Sequence, residues 1–296
     1  MAVTNVKARR DHEIASAREA CERSDSPFRD PLLCAAESVK FPAVATTAVK
    51  RLTPAPGHAI RPGLQQSQEV LLGKQFSLTS ADKFQLGAYR ADPSGPAKGG
   101  VVVIQEIFGV NHHIRAVCDR LAGEGYAAVA PALFDRQVKD FQSGYTPDEI
   151  AEARKFVANP DWGAMMKDTQ AAIDELKSSG PIAIMGFCMG GTIAFLAAAK
   201  LNGLSAAVAY YGGQIAKNAD EKPKVPLMMH FGEKDASIPP ADVATIKQKR
   251  GGDAEIFVYA DAQHGFHCDE RGSFHEASAK TAWQRSMEFL QKHLKK

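Results

Sequence analysis

From about residue 74 the chain alternates short apolar runs with longer amphipathic segments, and this alternation limits the fold more than any other feature. The apolar runs are GVVVIQE, YAAVAPAL, IAIMG, SAAVAYYG, PLMMHFG and AEIFVYA. The first run, GVVVIQE, is apolar and β-branched, which is typical of a strand that is buried on both faces, and the other five runs are predicted to be strands. Strands that alternate with helices predict an α/β fold, with a mostly parallel sheet and helices on both faces.

The segments between these runs carry helix signals. Thr146-Pro-Asp-Glu149 has the pattern of a capping box with proline at the first helical position. Other helices are predicted at 112–124, from Asn159 to about Leu176, and at 189–200, 240–250 and 276–294. Before the first buried run, QFSLTS and FQLGAYR predict a hairpin around the polar turn at 81–83.

The first part of the chain differs from the rest. Residues 1–68 hold ten basic and seven acidic residues, are interrupted by prolines, and show no sustained apolar periodicity. We interpret 1–68 as a disordered N-terminal extension or a misassigned start, with a short docking tail as the alternative. Residues 69–296 are then expected to form one domain.

Composition excludes several classes of protein. Among 296 residues, 36 Lys and Arg nearly balance 34 Asp and Glu, so no global charge favours nucleic acid or an acidic membrane. No apolar run approaches the roughly 18 residues that a membrane span needs. Five cysteines, an odd and scattered set, favour a reducing, cytoplasmic location. We expect a monomer or small homo-oligomer.

The sharpest chemical signal is Gly186-Phe-Cys188-Met-Gly190, which lies between a predicted strand and a predicted helix. This is the spacing of a nucleophile elbow, a turn so tight that only small residues fit two positions either side of the nucleophile. A thiol there would lie at a helix N-terminus, where the dipole favours thiolate. The alternative is a glycine-rich turn with a buried cysteine that acts as a small hydrophobic residue.

A candidate acid and a candidate base follow in the order that such hydrolases require. Asp235 comes just after PLMMHFG, and His264 comes just after AEIFVYA. The carboxyl ends of parallel strands meet at one edge of the sheet, where ligands bind in open α/β sheets. We therefore expect Cys188, Asp235 and His264 to lie together.

Four stretches resemble those of the dienelactone hydrolase family, of the α/β-hydrolase superfamily. They are QEIFGVN (105–111), GFCMGG (186–191), HFGEKDASIPP (230–240) and AQHGFHCDER (262–271), and the resemblance extends over about 74–294. It implies the α/β-hydrolase fold and a triad of Cys188, His264 and Asp235. It also implies that Glu106 helps to activate the thiol when substrate arrives, and that the backbone N–H groups of Ile107 and Met189 bind the oxyanion.

The resemblance further implies a hydrolase of enol-lactones or activated carboxylic esters that acts through a thioester acyl-enzyme, without a cofactor. A general carboxylesterase or thioesterase is the alternative on the same scaffold, and a ligand-binding protein without turnover is a third. The best-known members carry an arginine four residues after the catalytic histidine, and here that position is Cys268. Arg271, Arg136 and Arg154 are the candidates to bind a substrate carboxylate.

A metal site is not expected from the sequence. His264, His267 and Cys268 offer three ligands within five residues, and no distant CxxC or HxxxH pair completes a zinc site. His112 and His113 are expected at the surface. Phe141, Tyr145 and Trp162 either line the pocket or belong to the core.

Overall fold

A computed structural model describes residues 73–295. The predicted extension at 1–68 therefore lies outside the described residues. Within them, each predicted strand and helix is present, and its bounds fall within a few residues of those expected from the sequence.

The strands form one eight-stranded sheet in the order β1-β2-β4-β3-β5-β6-β7-β8. They are β1 Lys74–Thr79, β2 Gln85–Ala91, β3 Gly100–Ile104, β4 Ala127–Pro131, β5 Ile182–Phe187, β6 Ala206–Tyr210, β7 Leu227–Gly232 and β8 Ala254–Tyr259. The hairpin strand β2 runs antiparallel to both its neighbours, and all other pairs are parallel. The prediction of a mostly parallel sheet is confirmed.

Helices connect the parallel strands. They are α1 His112–Gly123, α2 Pro147–Lys155, α3 Trp162–Glu175, α4 Met189–Lys200, α5 Pro240–Arg250 and α6 Glu276–His293. The predicted capping box is present at α2, where the Thr146 side chain accepts from Glu149 N–H and the Glu149 carboxylate accepts from Thr146 N–H. Over residues 73–295, no helix combines the length and apolarity of a membrane span.

The central strands are covered on both faces. Every residue of β3, β4, β5, β6 and β7 is buried. Because successive side chains on a strand point to opposite faces, complete burial requires packing against both faces of the sheet. The edge strands β1 and β8 keep exposed positions. The loops at the carboxyl ends of the central strands are therefore fixed by the packed core beneath them.

Candidate active site

Cys188 lies in the turn between β5 and α4. Its backbone has φ 55° and ψ −116°, a strained conformation for a residue with a side chain. A Cβ added at Gly186 would overlap the Gly190 carbonyl, and one at Gly190 would lie 2.6 Å from the Gln105 carbonyl oxygen. The two glycines are thus required by close backbone approach, as a nucleophile elbow requires.

His264 and Asp235 extend from loops after β8 and β7 toward this turn. His264 Nε2 lies 3.1 Å from Cys188 Sγ, and His264 Nδ1 lies 2.8 Å from Asp235 Oδ2. Asp235 is inaccessible to solvent, and its other oxygen accepts a hydrogen bond from Ser237 N–H at 2.8 Å. The carboxylate therefore fixes the orientation of the imidazole, which in turn contacts the sulfur.

The electrostatics of this group favour a charged imidazole. Burial by itself lowers the pKa of His264, but the Cys188 sulfur and the Asp235 carboxylate outweigh it and raise this pKa to about 10. At neutral pH the imidazole is then protonated and lies in contact with the sulfur. A protonated imidazole in contact with a cysteine sulfur favours the thiolate form.

Two backbone N–H groups beside the sulfur have no hydrogen-bond partner within the described part of the chain. Met189 is the first residue of α4, so its N–H has no acceptor inside the helix. Ile107 lies in the loop after β3 and likewise donates to no described acceptor. Both residues line the same cavity as Cys188, at the positions where the sequence predicts oxyanion donors.

A cavity of about 470 Å³ opens over the sulfur. Its lining is largely apolar and contains two arginines, Arg154 and Arg271, but no carboxylate. The lining residues are Ile107, Phe108, Ile150, Arg154, Val157, Trp162, Cys188, Met189, Thr192, Gly213, Gln214, Ser237, His264 and Arg271. The cavity therefore suits a small, partly apolar molecule that carries negative charge.

Glu106 is buried and paired with one of these arginines. Its side chain is 1% exposed, and Arg271 Nη1 donates to its Oε1 at 2.9 Å. Arg154 is exposed and has no ion-pair partner among the described residues. Arg136 does not line the cavity, because Asp168 and Asp82 bind its guanidinium, each at 2.8 Å. The structure thus brings Arg154 and Arg271 to the site and places Arg136 elsewhere.

Of the three aromatic candidates Phe141, Tyr145 and Trp162, one lines the cavity over Cys188. Trp162 lines the cavity. Tyr145 packs edge-on against Phe108, with ring centroids 4.7 Å apart, and Phe141 packs against Phe134. Only the first of the three therefore faces the space above the sulfur.

One expectation about the helix after the QEIFGVN stretch is wrong. His112 is exposed as expected, but His113 is only 4% exposed and packs beneath the loop that carries Cys268 and Asp269. Burial lowers the pKa of His113, but the nearby Asp269 carboxylate and Cys268 sulfur outweigh this and raise it to about 10. Adjacent histidines at a helix start look alike in sequence, and only the chain that packs over them decides which is buried.

The chain is similar to proteins of one known family. The model of the dienelactone hydrolase family matches residues 86–294. A candidate carboxymethylenebutenolidase from Synechocystis sp. is 38% identical over 230 residues, which cover 71% of this chain and 93% of that protein. Carboxymethylenebutenolidase from Pseudomonas putida is 30% identical over 235 residues, 74% of this chain and 97% of that enzyme.

A solved structure shows the same fold. The crystal structure of a candidate dienelactone hydrolase from Klebsiella pneumoniae matches with a TM-score of 0.65 and 34% identity, and the match covers 73% of this chain and 96% of that one. The sheet and its helices are therefore those of the α/β-hydrolase fold. The chain belongs to the dienelactone hydrolase family, a family of hydrolases that act on enol-lactones and esters.

Proposed function

We propose that this protein hydrolyses enol-lactones or activated carboxylic esters with Cys188 as the nucleophile. The observation that carries the proposal is the contact chain from Cys188 Sγ to His264 and on to Asp235, at 3.1 Å and 2.8 Å. A buried carboxylate that orients an imidazole against a nucleophile is the arrangement that activates serine and cysteine hydrolases.

In the first step the Cys188 thiolate attacks the substrate carbonyl carbon. The oxygen that becomes negative accepts hydrogen bonds from the N–H groups of Ile107 and Met189. The C–O bond to the leaving group then breaks, and the His264 imidazolium gives its proton to the departing oxygen. The product of this step is a thioester on Cys188.

In the second step His264, now neutral, takes a proton from water as the water attacks the thioester. The carbon–sulfur bond breaks, the free acid leaves, and the thiolate–imidazolium pair is restored. Asp235 stabilises the imidazolium throughout. Because water must cleave a thioester in each cycle, such a nucleophile suits esters and lactones better than amides.

The cavity supports a carboxylate-bearing substrate. Arg154 and Arg271 are the arginines in its lining, and arginine binds carboxylates through paired N–H donors. Glu106 already holds Arg271, so it positions this guanidinium in the unliganded enzyme. A substrate carboxylate on Arg271 would compete with Glu106 for the same donors, which links substrate binding to the position of Glu106.

A general carboxylesterase or thioesterase activity is the second candidate. Cys268 stands where the best-known members of the family carry a carboxylate-binding arginine, and it is completely buried. The apolar part of the cavity lining would accept an acyl chain as readily as an enol-lactone ring. The two candidates differ in whether a negative charge on the substrate is required.

The test compares wild type with the Cys188→Ala variant on an enol-lactone that carries a carboxylate, on its methyl ester, and on a chromogenic acetate ester. We expect all hydrolysis to be lost in the variant, while unfolding free energy changes by less than about 2 kcal/mol. Cys118→Ala is the matched control, because Cys118 is a buried thiol on α1 outside the cavity. Mass spectrometry of a quenched reaction should find the acyl group on Cys188.

Undiminished turnover by Cys188→Ala would refute the proposed nucleophile. A preference for the charged lactone supports the first candidate. Equal rates on all three substrates would instead favour the general esterase.

A further inference from the structure

Three buried donor atoms of different chemistry converge behind the active site. They are a carboxylate oxygen of Glu106, an imidazole nitrogen of His113 and the Cys268 sulfur, and all three lie within 4.8 Å of one another. The residues are 1%, 4% and 0% exposed. They come from the end of β3, the start of α1 and the loop after β8, so no local sequence pattern joins them.

Two of these atoms have no hydrogen-bond partner among the described residues. They are Glu106 Oε2 and His113 Nε2, both of which are inaccessible to solvent. A buried polar atom that forms no hydrogen bond costs about 1–3 kcal/mol. Two such atoms that face one another, with a thiol beside them, indicate a ligand that bonds to all three.

The donor set selects the class of ligand. One imidazole nitrogen, one thiolate sulfur and one carboxylate oxygen are the ligand types of zinc, which takes four ligands in a tetrahedron. Bond lengths of about 2.0–2.3 Å put tetrahedral ligand atoms about 3.5 Å apart, so atoms that now lie within 4.8 Å need to approach by at most about 1.3 Å. We propose that Glu106, His113 and Cys268 form a binding site for a thiophilic divalent cation of the zinc class.

The groups around the cluster fit this assignment. His113 Nδ1 faces Asp269 Oδ1 at 3.8 Å, which leaves Nε2 to face the cluster. A carboxylate behind a ligating histidine is the usual arrangement at zinc sites, where it fixes the ring and raises its basicity. Glu106 uses its other oxygen for Arg271, so Oε2 is the oxygen that remains for the cation. The Cys268 sulfur lies 3.3 Å from the Tyr145 hydroxyl.

A second cavity lies beside His113, on the side of the ring that faces Asp269. A cavity of about 370 Å³ is lined by His113, His267 and Asp269 together with residues of α1 and α6. The cavity over Cys188 is lined by neither His113 nor Cys268. The cluster therefore lies outside the lining of the cavity over Cys188, and the proposal does not depend on what the triad does.

The test uses the full chain without a histidine tag, in a Cys188→Ser background that removes the catalytic thiol. Cobalt(II) replaces zinc as the probe, because a cobalt–thiolate bond gives a charge-transfer band and tetrahedral cobalt gives intense visible bands. We expect both sets of bands at one cobalt per chain, and their loss on addition of zinc. Zinc affinity is then measured by competition with a chromogenic chelator.

Matched variants assign the ligands. Adding Cys268→Ser to the background should abolish the charge-transfer band, and His113→Gln should weaken zinc binding at least tenfold. Cys118→Ser should leave both readouts unchanged. The Asp269 side chain is 72% exposed, so the Asp269→Asn variant should fold normally. We expect this variant to bind zinc more weakly, by up to about tenfold.

Three results would overturn the proposal. A band that survives Cys268→Ser would place the metal on another cysteine. A band seen in wild type but absent from the Cys188→Ser background would place it on the triad. The absence of any stoichiometric binding would mean that an ordered water satisfies the three atoms.

Discussion

The two contacts of the His264 ring make a quantitative prediction about its pKa. The sulfur of Cys188 and the carboxylate of Asp235 each contact one nitrogen of this ring, and burial opposes them. Removing either negative group should therefore lower the pKa of His264. The two perturbations are Cys188→Ser, which replaces the sulfur with a hydroxyl that stays neutral, and Asp235→Asn, which keeps the shape of the side chain and removes its charge.

The size of the effect follows from the two contacts. A pKa of about 10 lies about 3.5 pH units above the ordinary 6.5 of histidine, which corresponds to about 5 kcal/mol in favour of the charged ring. The sulfur is the larger favourable contribution and the carboxylate the next. We expect Cys188→Ser to lower the pKa of His264 by about 2 pH units or more, and Asp235→Asn to lower it by a somewhat smaller amount.

The assay is NMR with labelled histidine, with the His264 resonance assigned by its absence from a His264→Gln variant. In wild type the ring should stay protonated from pH 6 to 9 and titrate near 10. If Cys188→Ser leaves this titration unchanged, the sulfur is a neutral thiol in the free enzyme, and our account of the resting site is wrong. If only Asp235→Asn lowers it, the carboxylate alone holds the charge.

Three further predictions test the elbow, the extension and Glu106. In urea unfolding, Gly190→Ala should destabilise the fold by about 3 kcal/mol, because the added Cβ would meet backbone carbonyls. Gly252→Ala is the control: its added Cβ would have no atom within 4 Å, so the unfolding free energy should change by less than about 0.5 kcal/mol. A chain truncated to begin at Leu72 should melt in one transition and keep its activity, and a tenfold loss of catalytic efficiency would contradict that. Iodoacetamide should inactivate wild type and Glu106→Gln at rates within about threefold, because the side chain that contacts the Cys188 sulfur is His264. A rate that depends on Glu106 and quickens with a carboxylate analogue would instead support a thiol that substrate activates.

The fold was largely predictable because its signals are local. Continuous apolar runs predict β3 to β7, and the Thr146-to-Glu149 capping box predicts the start of α2; the structure confirms both. The order of strands in the sheet was not predicted. Sequence periodicity shows that a strand is buried but does not say which strands lie beside it. The placement of β4 between β2 and β3 depends on packing across the whole sheet.

The site residues also differ in how predictable they were. A residue's position could be predicted where its own segment determines its surroundings. Cys188 was predictable because the tight turn of the elbow requires glycine two positions before and after the nucleophile, at Gly186 and Gly190. Asp235 and His264 were predictable because strand ends in a parallel sheet share one edge.

Residues whose surroundings the sequence did not predict depend on contacts with another segment. Arg136 was a candidate to bind a substrate carboxylate, but Asp168, 32 residues further along the chain, binds its guanidinium. His113 stands next to an exposed histidine, and it is buried because the loop that carries Cys268 and Asp269 packs over it. The same loop supplies Arg271 to Glu106. This loop therefore contributes Arg271 to the cavity over Cys188 and Cys268 to the donor cluster. Neither arrangement could be predicted from residues that are close in sequence.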